Sequence, residues 1–305
     1  MRPVREQTVL VTGATDGLGK ALATELARAG ATVIVHGRDN NRGKATLAEI
    51  TEATGSDRLR WYQADLAHLD QVRDLVGAVA ADNPRLDALV SNAGIGSSPG
   101  GRQESAEGIE LRFAVNYLAG YLLTRLLLTT LRSSAPARIV QVSSAGQAPI
   151  DFDDVMLTRS YSGGQAYCQS KLAQIMFTFD LADELAGTGV TATALHPATY
   201  MPTKMVARPV STLQSGVDAT LRLVIDPALF RALRIRIPEI TDIRIQLKGG
   251  RAANELTRFK YDVVLSVSGK STGSAEVPHL DWRSAAFTRR TAKPVSAPTI
   301  SIVRP

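Results

Sequence analysis

Tyr167 and Lys171 are the pair in this chain best suited to acid–base chemistry. They lie four residues apart in AYCQSKLAQIMF, where apolar positions recur every three to four residues. This spacing predicts a helix and places both side chains on one of its faces. An ammonium group beside a phenol stabilises the phenolate, so we expect Lys171 to lower the Tyr167 pKa from about 10 toward neutrality. Such a tyrosine can exchange a proton at physiological pH.

A glycine-rich turn near the N-terminus predicts where a nucleotide binds. The segment TGATDGLG follows the apolar strand TVLV and opens a helical pattern. Gly13 permits a tight turn, and Gly17 and Gly19 let the backbone approach a pyrophosphate at the positive end of the helix. The spacing is G-x-x-x-G-x-G rather than G-x-G-x-x-G. The alternative is a glycine-rich turn without a ligand.

The end of the second predicted strand favours NADP over NAD. An NAD site places a carboxylate there, which binds the ribose hydroxyls and would repel a 2′-phosphate. This strand ends Val35-His36-Gly37-Arg38, so Gly37 occupies the acidic position and Arg38 offers a guanidinium to phosphate. Asp39 is the competing signal, and we expect it to point into the following loop.

Two further segments are expected to contact the cofactor. Asp65, after the third strand, could accept a hydrogen bond from the adenine amino group, or it could cap a helix. Asn92-Ala93-Gly94 ends the fourth strand, where small residues would let the chain pass beneath the adenosine ribose.

Strand and helix patterns alternate through about residue 229. This alternation predicts an α/β fold, a doubly wound Rossmann-type parallel sheet with helices on both faces. We therefore assign 1–229 to an NADP-binding domain and 230–305 to an atypical C-terminal extension. In the extension, Ile243–Leu247 and Tyr261–Val267 predict a β-hairpin at about 243–267, and the Pro/Ser-rich remainder predicts an extended tail.

Composition narrows the class of protein. The apolar run from Leu118 to Leu131 is interrupted by Arg125 and is too short to span a bilayer, so no membrane partner is expected. Cys168 is the only cysteine, which excludes an internal disulfide and favours a reducing cytoplasm. Residues 231–305 carry 14 Lys and Arg against 6 Asp and Glu. That basic tail is a solvated surface or a contact for an acidic protein, and we expect no nucleic-acid binding.

Residues 1 to about 229 resemble the short-chain dehydrogenase/reductase family. The resemblance rests on five motifs in the family's order: TGATDGLG, the Asn-Ala-Gly turn, Val-Asn at 115–116, Val-Ser-Ser at 142–144, and YCQSK. The long interval from Ser144 to Tyr167, containing DFDD and YSGGQAY, resembles the retinol-dehydrogenase-like branch.

The resemblance implies a catalytic tetrad of Asn116, Ser144, Tyr167 and Lys171. Ser144, rather than Ser143, matches the serine that polarises the substrate carbonyl. Tyr167 would donate the proton in reduction and accept it in oxidation. Lys171 would bind the nicotinamide ribose, and Asn116 would position a water that links the lysine to solvent.

After the sixth strand the family carries Pro-Gly and then a threonine that contacts the nicotinamide carboxamide. This chain has Ala198 in place of the glycine, so Thr203 is the assignment and Thr199 the alternative, with a mobile lid at 199–215. No metal ligand is expected.

The predicted cofactor-binding residues are Gly13, Thr15, Asp16, Gly17, Leu18, Gly19, Arg38, Asp65, Leu66, Asn92, Ala93, Gly94, Tyr167, Lys171, Pro197, Thr199 and Thr203.

The C-terminal extension departs from that family. Its segment IPEITDIRIQLKGGRAANELTRFKYDVVLSV resembles the closing strands of methyltransferase domains embedded in nonribosomal peptide synthetases. It contains no S-adenosylmethionine fingerprint and implies no methyl transfer. It does suggest a link to specialised peptide or polyketide metabolism.

These features predict an NADP(H)-dependent oxidoreductase that reduces a small-molecule carbonyl or oxidises an alcohol. The alternatives are a non-catalytic dinucleotide-binding sensor, and a reductase recruited through its basic tail to a carrier-protein-bound substrate. Helical segments around Leu111–Leu131 and Tyr167–Leu185 carry more apolar surface than one core face requires. With the family resemblance, that surface predicts a homo-oligomer, a dimer or tetramer built through these helices.

Overall fold

Six short apolar segments form a parallel sheet. In the computed structural model the strands are β1 (Thr8–Val11), β2 (Thr32–Gly37), β3 (Leu59–Gln63), β4 (Ala88–Ser91), β5 (Ala137–Val142) and β6 (Val190–Leu195). Their order is β3-β2-β1-β4-β5-β6, and every neighbouring pair is parallel. The structure describes residues 2–97, 101–197, 217, 220, 240–247, 261–267 and 300–304.

Helices cover both faces of this sheet. They are α1 (Gly17–Arg28), α2 (Asn40–Thr54), α3 (Leu69–Asp82), α4 (Ala119–Ser133) and α5 (Gly163–Glu184). Apolar residues of α1 and α2 pack on one face, and those of α3, α4 and α5 pack on the other. The predicted doubly wound α/β fold is therefore confirmed.

The order of the strands determines where a site can form. In a parallel sheet the carboxyl ends of all strands lie at one edge, and the order reverses between β1 and β4. The glycine turn after β1, Asn92 after β4 and Ser143 after β5 all leave the sheet at that edge. Ligands of open α/β sheets bind in the crevice formed there.

Strands of the C-terminal extension form a second sheet. β7 (Ile240–Leu247) and β8 (Tyr261–Val267) pair antiparallel, as the sequence predicts. Ile300–Arg304 forms β9, a third strand that pairs with β8 and that the sequence did not predict. β9 approaches the outer strand β6 of the parallel sheet, with Cα atoms within 8 Å. Among the described residues, no helix is both long and apolar enough to span a membrane.

Candidate active site

The glycine-rich turn lies against the loop that follows β4, and two of its glycines are required for that contact. Gly13 has a φ of +62°, and a Cβ there would lie 2.8 Å from the Ala93 Cα. A Cβ on Gly19 would lie 2.4 Å from the Gly13 carbonyl oxygen and 2.5 Å from Asn92 Nδ2. Only glycine fits at either position, so the backbone at the start of α1 is bare, as a dinucleotide pyrophosphate requires.

Thr12 and Asn92 fasten the two loops together. Asn92 Nδ2 donates to the carbonyl oxygens of Thr12 at 2.8 Å and Gly13 at 3.2 Å. In return, Thr12 Oγ1 accepts from the backbone amides of Asn92 and Ala93. The side chain of Asn92 therefore holds the glycine-rich turn in place. We call this turn, Thr12 to Gly19, the glycine cradle. The backbone of Ala93 and Gly94 and the methyl group of Ala93 remain to contact a ribose.

His36, at the end of β2, is a structural residue of the site that the sequence did not single out. Its Nδ1 accepts from the Gly13 amide at 3.3 Å, and its Nε2 lies 3.2 Å from the Ala64 carbonyl oxygen. An imidazole that accepts through one nitrogen and donates through the other is neutral. Burial lowers its pKa from 6.5 to about 4, and the neighbouring Ala64 carbonyl and Asp65 offset only part of that shift.

The end of β2 has no room for an acidic side chain. A Cβ on Gly37 would lie 2.7 Å from Thr15 Cγ2 and 3.1 Å from the Trp61 ring. Arg38 beside it is exposed. Asp39 Oδ1 accepts from the Arg42 amide and caps α2, which begins at the next residue, so its carboxylate is turned toward that helix and not into a loop as predicted.

Arg42 is a second cation at this edge, and the sequence reasoning missed it. It donates to Asp16 Oδ2 at 3.2 Å, and Asp16 also accepts from the Gly17 amide as the cap of α1. The carboxylate of Asp16 therefore organises the start of α1.

The remaining predicted cofactor residues differ in what they offer. Asp65 Oδ1 accepts from the Ala67 amide at 3.0 Å within the turn that precedes α3. The residue before α3 is His68 and no side chain caps that helix, so Asp65 does not have the capping role that was the alternative. Leu18 and Leu66 are buried in the core, so only their backbones can face a ligand. Pro197 is half-buried after β6. Thr199, Thr203 and the predicted lid at 199–215 lie outside the described residues.

Ser144 and Tyr167 meet at the end of β5. Their hydroxyl groups are hydrogen-bonded to each other, and Ser144 Oγ also accepts from the Gly146 amide at 3.0 Å. Ser143 is turned inward, where its hydroxyl donates to the Lys171 carbonyl oxygen at 3.1 Å. This division of roles favours Ser144 as the serine that faces a substrate.

The pKa of Tyr167 differs from the sequence prediction. Burial raises it above 10, and the hydrogen bond with Ser144 offsets only part of that effect. Lys171 does not lower it in this structure, because its ammonium donates to the Val142 carbonyl at 2.9 Å and to Gln174 Oε1 at 3.2 Å. The predicted lowering was therefore wrong for this state of the site. Burial also lowers the pKa of Lys171 from 10.5 to about 8.

Asn116 lies in a π-helical turn, Phe113–Leu118, that leads into α4. Such turns are often associated with functional sites. Its Oδ1 accepts from the Ile95 amide, and its Nδ2 donates to the Ile95 carbonyl and to Ser170 Oγ. A Cβ on Gly94 would lie 3.2 Å from Asn116 Oδ1 and 3.6 Å from Lys171 Nζ. The structure thus brings Asn116 and Lys171 together around Gly94.

The acidic DFDD loop before α5 is a turn, not a cluster. Asp154 accepts from the amides of Thr158 and Arg159, and these hydrogen bonds lower its pKa. Across the described residues, no group of three or more His, Cys, Asp or Glu converges in a way that could hold a metal.

A family model, curated proteins and solved structures resemble this chain. The family model for short chain dehydrogenases matches residues 7–213. Retinol dehydrogenase 13 of Homo sapiens is 42% identical over 194 residues, which are 63% of this chain and 58% of that protein. Retinol dehydrogenase 14 of Mus musculus is 40% identical over 228 residues, 68% of each chain. The chain thus spans less than two thirds of the human protein's length.

Among solved structures, a protein from Mycobacterium paratuberculosis is 33% identical with a TM-score of 0.62, covering 72% of this chain and 77% of that one. A metagenomic short-chain oxidoreductase in complex with NADP is 28% identical with a TM-score of 0.59, covering 72% and 91%. The family model spans more than half of the chain, and the two retinol dehydrogenases are 40% and 42% identical to it. On this evidence the chain belongs to the short-chain dehydrogenase/reductase family, in its retinol-dehydrogenase-like branch.

Proposed function

We propose that this protein is an NADPH-dependent oxidoreductase that reduces a small-molecule carbonyl to an alcohol. The observation that carries the proposal is the position of the hydrogen-bonded Ser144–Tyr167 pair. It lies at the same sheet edge as the glycine cradle, with Lys171 one helical turn from the tyrosine.

The glycine-rich turn with Gly13 and Gly19 is evidence for a dinucleotide cofactor. The end of β2 is evidence that this cofactor is NADP rather than NAD. Gly37 leaves no space for the carboxylate that would favour NAD. The exposed guanidinium of Arg38 would provide positive charge for a 2′-phosphate. Arg42, which is paired with Asp16 at the start of α1, adds positive charge at the same edge of the sheet. A relative of this fold that was solved with NADP supports the same choice. When bound, NADPH would supply the hydride.

The chain's own residues would supply the proton and orient the carbonyl. The Ser144 hydroxyl donates a hydrogen bond to the carbonyl oxygen, and the Tyr167 hydroxyl gives up its proton to the forming alkoxide. Because burial raises the pKa of Tyr167, the phenol is protonated at neutral pH, which suits reduction rather than oxidation. Lys171 holds the ribose side of the site and the nearby Asn116 connects it to solvent, so the proton is replaced after each turnover.

The names of the relatives suggest the first substrates to test. Several curated relatives are called retinol dehydrogenases, so retinal and retinol belong in the substrate panel with simple ketones. This chain spans only part of those proteins, and the proposed substrate is a small-molecule carbonyl. A carrier-protein-bound carbonyl, presented to the basic extension, is a further member of the panel.

The outer face of α4 and α5 supports the proposed homo-oligomer. Tyr121 and Leu126 on α4 are large apolar side chains that are 38% and 43% exposed. Tyr121 also stacks edge-on against Phe177 of α5, so the two helices present a joint apolar surface. Pairing this surface across a two-fold axis would cover it. The single cysteine supports a reducing, cytoplasmic setting.

Replacing the proposed acid tests the function. Tyr167→Phe should still bind NADPH and lose carbonyl reduction by about 10²–10⁴-fold, the usual contribution of a general acid. Tyr62→Phe is the matched control. Tyr62 lies on β3, and its hydroxyl donates a hydrogen bond to Asp82 Oδ2 at the end of α3, away from Ser144 and Lys171. Full turnover in Tyr167→Phe would remove the tyrosine from the mechanism. NADPH binding without turnover by the wild type, on every carbonyl, would favour the sensor.

A further inference from the structure

A continuous line of buried side-chain amides leads away from Lys171. Its ammonium donates to Gln174 Oε1 at 3.2 Å, and Gln174 Nε2 donates to Gln141 Oε1 at 3.0 Å. Gln141 Nε2 in turn donates to Thr124 Oγ1 at 3.3 Å. We call Gln174, Gln141 and Thr124 the amide chain. It connects α5, β5 and α4.

The amide chain is enclosed within the protein. Gln174 is 2% exposed, Gln141 is 1% exposed, and Thr124 is fully buried. Buried amides are costly unless both ends of each are hydrogen-bonded, because no water replaces a missing partner. Here the oxygen and the nitrogen of both glutamines have partners along the chain.

Lys171 sets the direction of the chain. An ammonium group can only donate, so the first amide must present its oxygen to the lysine. The nitrogen of Gln174 then requires an acceptor, which turns the oxygen of Gln141 toward it. Both amides consequently point their negative ends at Lys171, and hydrogen bonds aligned in this way strengthen one another.

No charged side chain contacts Lys171 from the elements described around it. β5 contributes the Val142 carbonyl, the loop after β4 contributes Gly94, and the π-helical turn contributes Asn116. On α5 itself the titratable residues within one helical turn of Lys171 are Tyr167 and Cys168. Burial lowers the pKa of Lys171 from 10.5 to about 8, and the acceptors of its ammonium group are neutral dipoles, the Val142 carbonyl and the Gln174 amide.

We propose that Gln174 and Gln141 are positioning residues for Lys171, two aligned amides that hold its ammonium in place and keep it charged in a buried site. They touch neither substrate nor cofactor, and they act through the lysine. The catalytic consequence rests on the proposed function, whereas the effect on the lysine's protonation does not.

The lysine's own titration tests this directly. In protein labelled with ¹³C-lysine, the Cε signal of Lys171 is assigned by its absence from Lys171→Met and followed against pH. Gln174→Met removes the first amide at similar size. The loss of one hydrogen bond to a charged group should lower the pKa of Lys171 by about one to two units. Gln141→Met, which leaves the lysine's acceptor in place, should lower it less.

Gln169→Met is the matched control. Gln169 is a fully buried glutamine of the same helix, but it donates to the Val155 carbonyl at 2.6 Å and lies outside the amide chain. Its replacement should leave the Lys171 titration unchanged. The proposal is overturned if Gln174→Met titrates like the wild type, or if Gln169→Met shifts the lysine equally. Should Gln174→Met fail to fold, an unshifted titration in Gln141→Met overturns it as well.

The pH dependence of carbonyl reduction provides a second readout. Unlike the titration, it requires the proposed function to be right. If the proposed function is right, the alkaline limb of the pH profile for carbonyl reduction should move to lower pH in Gln174→Met, in step with the titration. A protein with no carbonyl reductase activity would refute the proposed function while leaving the titration result intact. A shifted titration with an unshifted kinetic limb would show that the amide chain does not serve catalysis.

Discussion

Replacing His36 tests whether a neutral, buried imidazole links the carboxyl ends of β1, β2 and β3, beside the proposed nucleotide site. His36 lies at the end of β2 and is hydrogen-bonded to Gly13 after β1 and to Ala64 after β3. Its pKa is about 4 in the folded protein, against 6.5 without the fold. Between these values the unfolded chain binds a proton that the folded protein does not. The stability that the neutral imidazole contributes is therefore fully present above pH 6.5 and is lost as the pH falls toward 4.

The size of the effect follows from the same two values. The difference between the two pKa values corresponds to about 3 kcal/mol of unfolding free energy. About 2 kcal/mol of it is lost between pH 7 and pH 5. His36→Asn keeps an oxygen that can accept from the Gly13 amide, but it cannot be protonated in this range. The wild type should therefore lose about 2 kcal/mol more unfolding free energy than the variant between pH 7 and pH 5.

Urea unfolding followed by far-ultraviolet circular dichroism at the two pH values measures this difference. The variant should be less stable than the wild type at pH 7, because it loses the bond to the Ala64 carbonyl, and the gap should narrow at pH 5. Parallel losses in the two proteins would show that His36 is not held neutral by its burial. The account of how β1, β2 and β3 are joined at this edge would then be wrong.

Four further predictions concern cofactor choice, the cradle, assembly and the extension. Arg38→Ala should weaken NADPH about tenfold to a hundredfold, the value of one charge-assisted contact, with little change for NADH, and equal losses would exclude phosphate recognition. Gly19→Ala should lower the melting temperature and NADPH affinity, since its Cβ would meet the Gly13 carbonyl oxygen at 2.4 Å; Gly77→Ala, with open space around it, should raise stability by up to about 1 kcal/mol. Light scattering at micromolar concentration should give a dimer or tetramer, and a monomer alone would contradict the pairing of α4 and α5. Deleting residues 231–305 should lower the melting temperature if the extension completes the sheet edge at β6. If the extension instead recruits a partner, the deletion should abolish activity on carrier-bound carbonyls alone. A truncated protein with unchanged stability and unchanged activities would exclude both roles.

The sequence predicted the frame of this protein well because its signals are local. Alternating strand and helix patterns, the glycine turn and the spacing of Tyr167 and Lys171 each lie within a short window. The hydrogen bonds that join distant segments could not be predicted in this way. His36 bonds to Gly13 and Ala64, far away on both sides in the chain, and nothing in VIVHGR indicates either partner.

The pKa prediction for Tyr167 failed for a related reason. Helical spacing places the lysine on the same face as the tyrosine, but it does not show which acceptors compete for the ammonium. Val142 and Gln174 take it in this structure, so burial dominates the tyrosine. Two polar residues in otherwise apolar patterns, Gln174 in LAQIMF and Gln141 in RIVQV, were the available signals for the amide chain.

Transfer of deuterium from labelled NADPH is the most direct test of the central claim, that this protein moves a hydride to a carbonyl with Tyr167 as acid. The purified full chain is incubated with the carbonyl panel and with NADPH in which both hydrogens at C4 are deuterium, so that transfer from either face is labelled, and the products are analysed by mass spectrometry. The account predicts an alcohol with one deuterium on the former carbonyl carbon, formed by the wild type and Tyr62→Phe and almost absent with Tyr167→Phe. An alcohol without deuterium, or equal labelling by the Tyr167→Phe variant, would contradict it.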